Sequence, residues 1–330
     1  MAINRRDFLK VTAGSGLLLA SGVSPAMAGP KPLAPDAVGF LYDATLCIGC
    51  KSCMVNCKKY NSVPGGALYE PGRTIPYERM SADEIYDAPV ELSDKSLSII
   101  KAYKNGTGLE QNAVENGFSF VKNNCMHCLD PACVSVCPVG ALLKEPGSGA
   151  VTYDQDKCIG CRYCQVACPF GVPKFQWEST SPKIVKCQLC HHRYKDGGIA
   201  ACCEFCPTGA SIFGSVTALR AEAKRRLALK FGSDYDYPTN TVGSSNRVAK
   251  KVSKYLDHVY GLSEAGGTQY LLLAGVPFDL LGFNPEISDQ AYPDLTWDYI
   301  RKLPVLIGVL LAGGAASYYY NRDRKGAGDE

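Results

Sequence analysis

The stretch Cys158-Ile159-Gly160-Cys161-Arg162-Tyr163-Cys164-Gln165-Val166-Ala167-Cys168-Pro169 decides how the rest of the chain is read. Three cysteines are spaced by two residues, a fourth follows after three more, and a proline closes the run. A tight loop with this spacing lets the first three thiolates converge on one cubane [4Fe–4S] cluster. The fourth, at the start of a helical turn, points away and serves a second cluster.

Three related runs surround it. Cys47, Cys50, Cys53 and Cys57 lack only the proline; Cys125, Cys128, Cys133 and Cys137 precede Pro138; Cys187, Cys190, Cys202 and Cys206 precede Pro207. Cys202 is preferred to Cys203 because its spacing to Cys206 repeats that of the other runs. Sixteen of the 17 cysteines are then used, and Cys203 reads as a small buried side chain.

The totals are those of an ordinary globular protein. In 330 residues, 46% are hydrophobic and 20% charged, which argues against a polytopic membrane protein. A net charge of +3, evenly spread, gives no reason to expect nucleic acid as a partner. So many cysteines raise the alternative of a redox-inactive disulfide or zinc scaffold. Zinc ribbons, however, rarely combine these spacings with a following proline, and here the pattern recurs.

Residues 1–28 read as a targeting segment. Asn4-Arg5-Arg6-Asp7-Phe8-Leu9-Lys10 is followed by an apolar stretch over 11–23 and a small-residue cleavage site, Ala26-Met27-Ala28. This resembles a twin-arginine export signal. That route carries folded proteins, so clusters built in a reducing cytoplasm would protect these thiolates from disulfide formation outside. Residues 29–215 form the expected four-cluster domain. Residues 39–43 read as a strand entering the first cysteine loop. The insertion 58–124 reads as a surface excursion with few regular elements, opening on Pro64-Gly65-Gly66 and returning through a strand at 118–122. The phrase Cys137-Pro-Val-Gly-Ala-Leu recurs as Cys206-Pro-Thr-Gly-Ala-Ser, which marks a repeated module.

Residues 216–302 read as a helical and irregular extension, with a helix over 216–231 whose basic face, 224–226, is expected to be solvated. The run 303–320 has no charge and at helical rise spans about 27 Å, close to the hydrocarbon thickness of a bilayer. It is expected to be a single transmembrane helix, with 321–330 as a basic cytoplasmic tail. His127, His191 and His192 neighbour the cysteines and could hydrogen-bond sulfur or simply pack. No nucleophile elbow, dinucleotide fingerprint or nickel or molybdenum site stands out. The chain reads as a carrier of electrons for a catalytic partner.

These residues together resemble the exported four-cluster ferredoxin subunits of respiratory oxidoreductases, and among them the iron–sulfur subunit of periplasmic nickel–iron hydrogenases of the hydrogenase-2 type. The stretches Cys168-Pro-Phe-Gly-Val-Pro-Lys-Phe-Gln-Trp177 and Gly266-Gly-Thr-Gln-Tyr-Leu-Leu-Leu-Ala-Gly-Val-Pro-Phe278 strengthen the likeness. The resemblance implies an α+β fold of tandem ferredoxin-like modules with long insertions, holding four [4Fe–4S] clusters. It also implies that paired runs exchange their fourth cysteines. One cluster would take Cys47, Cys50, Cys53 and Cys206, and a second Cys187, Cys190, Cys202 and Cys57. A third would take Cys125, Cys128, Cys133 and Cys168, and a fourth Cys158, Cys161, Cys164 and Cys137. The implied partners are the small and large subunits of a nickel–iron hydrogenase, an integral membrane quinone-binding subunit and membrane lipid, on the periplasmic side of the bacterial inner membrane. The alternative in the same class is the equivalent subunit of a molybdenum or tungsten enzyme, such as formate dehydrogenase or a polysulfide or sulfoxide reductase.

Overall fold

The strand Val38–Asp43 has all six residues buried, as expected of a short apolar run covered on both faces. It is the middle of a three-stranded sheet, parallel to Tyr270–Leu273 with Phe40 opposite Tyr270, and antiparallel to Ser211–Ser215 with Val38 opposite Ser215. Gly39 permits the close parallel approach: a Cβ there would lie 1.9 Å from the carbonyl oxygen of Gln269. The computed structural model describes residues 32–61 and 91–325. The expected export signal and the Pro/Gly-rich opening of the insertion lie outside the described residues. Two units are present, a body running to Tyr292 and a C-terminal unit from Pro293.

The body is mixed α and β, built from small sheets and short helices around cysteine-bearing loops. Phe40, Tyr42 and Tyr270 form its centre, with Phe40 edge-on to Tyr270 at a centroid distance of 5.8 Å. Such a pair is worth about 0.5–1.5 kcal/mol beyond its buried area. Two short hairpins, Leu142–Lys144 with Val151–Tyr153 and Lys174–Phe175 with Ile184–Val185, flank the inner cysteine runs.

Three stretches depart from expectation. The latter part of the insertion is a sheet of Ile99–Lys104, Gly117–Asn123 and Glu110–Gln111, and Ile99, Ile100 and Val121 belong to the core. Asn105-Gly106 turns the chain out of the first of these strands, with Gly106 at φ +70°. Its turn chemistry serves a sheet where a loop was expected. The supposedly irregular extension supplies the buried strand Tyr270–Leu273 and a two-stranded ribbon, Asp234–Pro238 with Arg247–Lys251. The basic helix Val216–Leu227 starts at Ser215, whose hydroxyl accepts from the Ala218 N–H, and ends short of the expected residue 231. Arg226 on that helix is fully buried, paired with Asp43 and Glu222, so the expectation of a wholly solvated basic face is corrected. Spacing explains it: residues 219, 222, 223 and 226 share the helix face that packs inward.

The C-terminal unit contains the helix Leu303–Lys325. Its described apolar side chains, among them Val305, Leu306, Val309 and Leu311, are exposed. Among the described residues, no helix is long and apolar enough to cross a membrane.

Candidate metal centres

Each cysteine run begins with a turn whose third residue is left-handed: Gly49 (φ +67°), His127 (+49°), Gly160 (+71°) and Leu189 (+61°). For a residue with a side chain this conformation costs roughly 1–2 kcal/mol. The repeated geometry turns backbone N–H groups onto sulfur. Gly49 N donates to Cys47 Sγ at 3.5 Å, Gly160 N to Cys158 Sγ at 3.4 Å and Leu189 N to Cys187 Sγ at 3.4 Å. The Cys-Pro phrases do the same further on, with Ala141 N donating to Cys137 Sγ at 3.2 Å and Ser211 N to Cys206 Sγ at 3.4 Å. Donors aimed at sulfur favour the thiolate, the form that binds metal.

Four short helices distribute the remaining sulfurs. Ser52–Asn61 carries Cys53 and Cys57 one turn apart. Ala132–Ser135, Tyr163–Ala167 and Ala201–Glu204 carry Cys133, Cys164 and Cys202, and each is followed by the fourth cysteine of its run. The result is four gatherings of four. Cys47, Cys50, Cys53 and Cys206 line one recess, and Cys137, Cys158, Cys161 and Cys164 line another. Cys57 is flanked by Cys187, Cys190 and Cys202, and Cys128 by Cys125, Cys133 and Cys168. In each gathering, three sulfurs come from one run and the fourth from a distant one.

The gatherings also neighbour one another. Cys53 lies within electrostatic range of Cys202, Cys187 of Cys125, and Cys133 of Cys164. The order is therefore the Cys47 group, the Cys57 group, the Cys128 group and the Cys158 group. At one end Cys50 is exposed; at the other Cys137, Cys158 and Cys161 are half-buried.

The donor set suits a polynuclear centre. Among the described residues, no three His, Cys, Asp or Glu side chains are placed to hold a single metal ion. The recess at Cys47 is lined by Cys47, Cys50, Cys53 and Cys206 together. Sulfurs spread around such a space match a cluster with iron at several corners better than one central ion.

Electrostatics point the same way. Burial pushes the thiols of Cys47 and Cys164 up to about 11 and that of Cys133 up to about 12. Burial likewise holds Cys53, Cys57, Cys128 and Cys187 above the ordinary thiol range. Bare thiolates are costly in these positions, and bound cationic iron would offset that cost. Cys202 is the exception: a hydrogen bond from Cys203, together with the Lys122 ammonium, brings it down to about 5. Asn61 Nδ2 reaches both Cys57 Sγ and Cys190 Sγ at 3.6 Å.

The histidines have separate roles. His127 is buried, burial holds it neutral, and its Nδ1 accepts from Val151 N at 3.1 Å. His192 Nε2 lies 3.0 Å from the Tyr60 carbonyl oxygen, and His191 Nε2 is 3.8 Å from Glu145. None of these contacts is to sulfur. Sequence reading missed Lys122, Ser211 and Asn61, for which no local signal exists. It also missed the left-handed turns, although glycine at both 49 and 160 was a visible clue.

Comparison with known proteins places these observations. A family model described as a 4Fe-4S dicluster domain matches residues 117–216, a span holding the second, third and fourth runs. The chain is 42% identical over 293 residues to the hydrogenase-2 operon protein HybA of Escherichia coli O157:H7, covering 87% of this chain and 85% of that protein. It is 33% identical over 239 residues to the formate dehydrogenase-O iron–sulfur subunit of Escherichia coli K12, covering 72% and 70%. A formate dehydrogenase iron–sulfur subunit of Haemophilus influenzae is 31% identical over 233 residues, covering 68% and 64%.

Proposed function

Because the chain belongs to the family of HybA-type iron–sulfur proteins, we infer that it is the electron-transfer subunit of a membrane-bound hydrogenase. The observation that carries this reading is the linear order of four cysteine gatherings, each next to the following one. Four [4Fe–4S] clusters, when bound there, supply a row of one-electron carriers. The sixteen cysteines are their ligands, in the groups already described, and Cys203 holds none. Backbone N–H groups at residues 49, 160, 189, 141 and 211 orient the sulfurs. The Cys57 group is buried throughout, and in the Cys128 group Cys125 and Cys133 are buried while Cys128 and Cys168 are half-buried.

The partially exposed outer groups suit exchange with partners: a nickel–iron hydrogenase at one end, through its small subunit, and an integral membrane quinone-binding subunit at the other. The residues 1–28 support export by the twin-arginine route. The uncharged run 303–320 supports a single anchor with Arg322, Arg324 and Lys325 on the inner side. At helical rise this run is about 27 Å long, a little under a hydrocarbon core of about 30 Å, and local thinning of the bilayer makes up the difference. The exposed leucines and valines of this helix are otherwise uncovered in water.

The deciding experiment is metal analysis of the complex that co-purifies with the chain from gently solubilised membranes. About sixteen iron and sixteen acid-labile sulfide per chain, with nickel in the complex, is the expected result. Molybdenum or tungsten without nickel would move the subunit to an enzyme of the formate dehydrogenase kind. Near-zero sulfide would end the electron-carrier reading.

A further inference from the structure

Lys122 is a fully buried lysine on the strand Gly117–Asn123. Its ammonium donates to Ser211 Oγ at 2.9 Å and stands 5.0 Å from the ring centre of Phe40 and 5.7 Å from that of Tyr270. The acidic groups facing it are the thiols of Cys202, Cys203 and Cys53 and the phenol of Tyr270. Ser211 holds the position from the other side. Its Oγ lies 3.3 Å from Cys203 Sγ, its N–H donates to Cys206 Sγ, and Cys203 Sγ is 4.0 Å from Cys202 Sγ. The ammonium therefore sits at the seam between the gathering that contains Cys53 and Cys206 and the one that contains Cys57 and Cys202.

A buried ammonium is expensive, and an apolar side chain of similar length would pack there at lower cost. Its presence is explained if negative charge collects on both sides of it. A centre held by four thiolates is already negative, and one-electron reduction adds a further negative charge. The donation of Lys122 to Ser211 Oγ and its place near the Phe40 and Tyr270 rings suit the charged form.

We propose that Lys122 is a fixed cation shared by the two adjacent centres that meet at Cys53 and Cys202, where it favours their reduced forms and raises both reduction potentials. This rests on the four-cluster reading. The remaining two centres lie on other lysines, or on none. Lys144 and Lys186 face the Cys128 group, and no lysine is among the main influences on Cys164.

The test is an electron paramagnetic resonance redox titration of the whole membrane complex, wild type against Lys122→Met. Dithionite supplies one electron per centre and ferricyanide removes it. Two of the four midpoints should fall, each by a tenfold change in the reduced-to-oxidised ratio at fixed potential, about 59 mV for a one-electron couple. The other two should hold. Ser211→Ala, which removes only the hydroxyl that anchors the ammonium, should lower the same two midpoints by less, and it decides the matter if Lys122→Met does not accumulate. Variants with full iron and sulfide and four unmoved midpoints would overturn the role of Lys122 while leaving the four-cluster reading intact. A wild-type complex without sulfide would instead overturn the reading beneath it.

Discussion

Replacing Arg226 by methionine tests whether charge holds the sheet from which the first cysteine loop departs. Arg226 Nη1 donates to Asp43 Oδ2 at 2.9 Å and Nε donates to Glu222 Oε1 at 2.9 Å, with all three side chains essentially removed from solvent. Asp43 also accepts from the Thr45 N–H and hydroxyl and from the Tyr255 hydroxyl, which fixes the turn Ala44–Leu46 just before Cys47. Methionine keeps most of the volume but leaves the buried Asp43 carboxylate without its cation, while Glu222 keeps only Arg225. Breaking a buried pair in this way costs roughly 3–5 kcal/mol, a large part of the roughly 5–15 kcal/mol that holds a domain folded. With a guanidinium slope of roughly 4 kcal/mol per molar, the midpoint should fall by about 1 M. The assay is anaerobic guanidinium titration of the full chain, followed by circular dichroism and by iron release. Because the penalty belongs to the orphaned Asp43 carboxylate, adding Asp43→Asn to Arg226→Met should recover part of the loss. A fall of less than about 0.25 M for Arg226→Met, or a double variant no more stable than the single one, would refute the reasoning.

Three further outcomes are expected. Gly49→Ala should lose about four irons per chain, because a Cβ there lies 2.6 Å from the Phe120 ring at φ +67°. Gly140→Ala, at φ +61° with nothing within 4 Å, should keep its iron and lose only about 1 kcal/mol of stability; equal iron contents would contradict this. Cys164→Ser should block quinone reduction while the catalytic partner still reduces an artificial dye, and undiminished quinone reduction with the variant fully incorporated would sink the relay. Cluster retention should weaken as pH falls. Burial raises the Cys47 thiol from 9.0 to about 11, so the empty fold gains from the protonated thiol below pH 9 and loses that gain as pH rises through 11. The loaded form needs the thiolate, and protons compete with iron for it. Iron release into a chelator at pH 8 and pH 6 checks the direction.

The sixteen cysteines were legible because ligand spacing is a local property, written in a few consecutive residues. Which run closes on which was not. Nothing between Cys57 and Cys190 in sequence says that their sulfurs meet, and only the likeness to four-cluster subunits supplied the pairing. The strand at 118–122 was readable from its apolar alternation, whereas its partner Ile99–Lys104 was obscured by the Asn105-Gly106 turn that follows it. Arg226 could have been placed from periodicity, since it lies four residues after Glu222 on the face of Leu219 and Ala223. Lys122 could not: on a strand with alternating faces, a lysine ordinarily marks the wet side. Lys122 is buried against Phe40, Ser211 and Tyr270, residues distant from it in sequence.

The exchange of sulfurs between runs gives the chain a nested order, like parentheses. The Cys128 and Cys158 groups have all their cysteines once Cys168 has left the ribosome, while the Cys57 group waits for Cys202 and the Cys47 group for Cys206. The strand Val38–Asp43, which leads to Cys47, waits longer still, since its parallel neighbour is Tyr270–Leu273. Loop-closure entropy grows only with the logarithm of length, so the long separation costs little free energy; what it costs is time. The first thiols to be synthesised are the last to be enclosed, and for most of translation Cys47, Cys50, Cys53 and Cys57 are open to oxidants, stray metal and any helper that delivers iron.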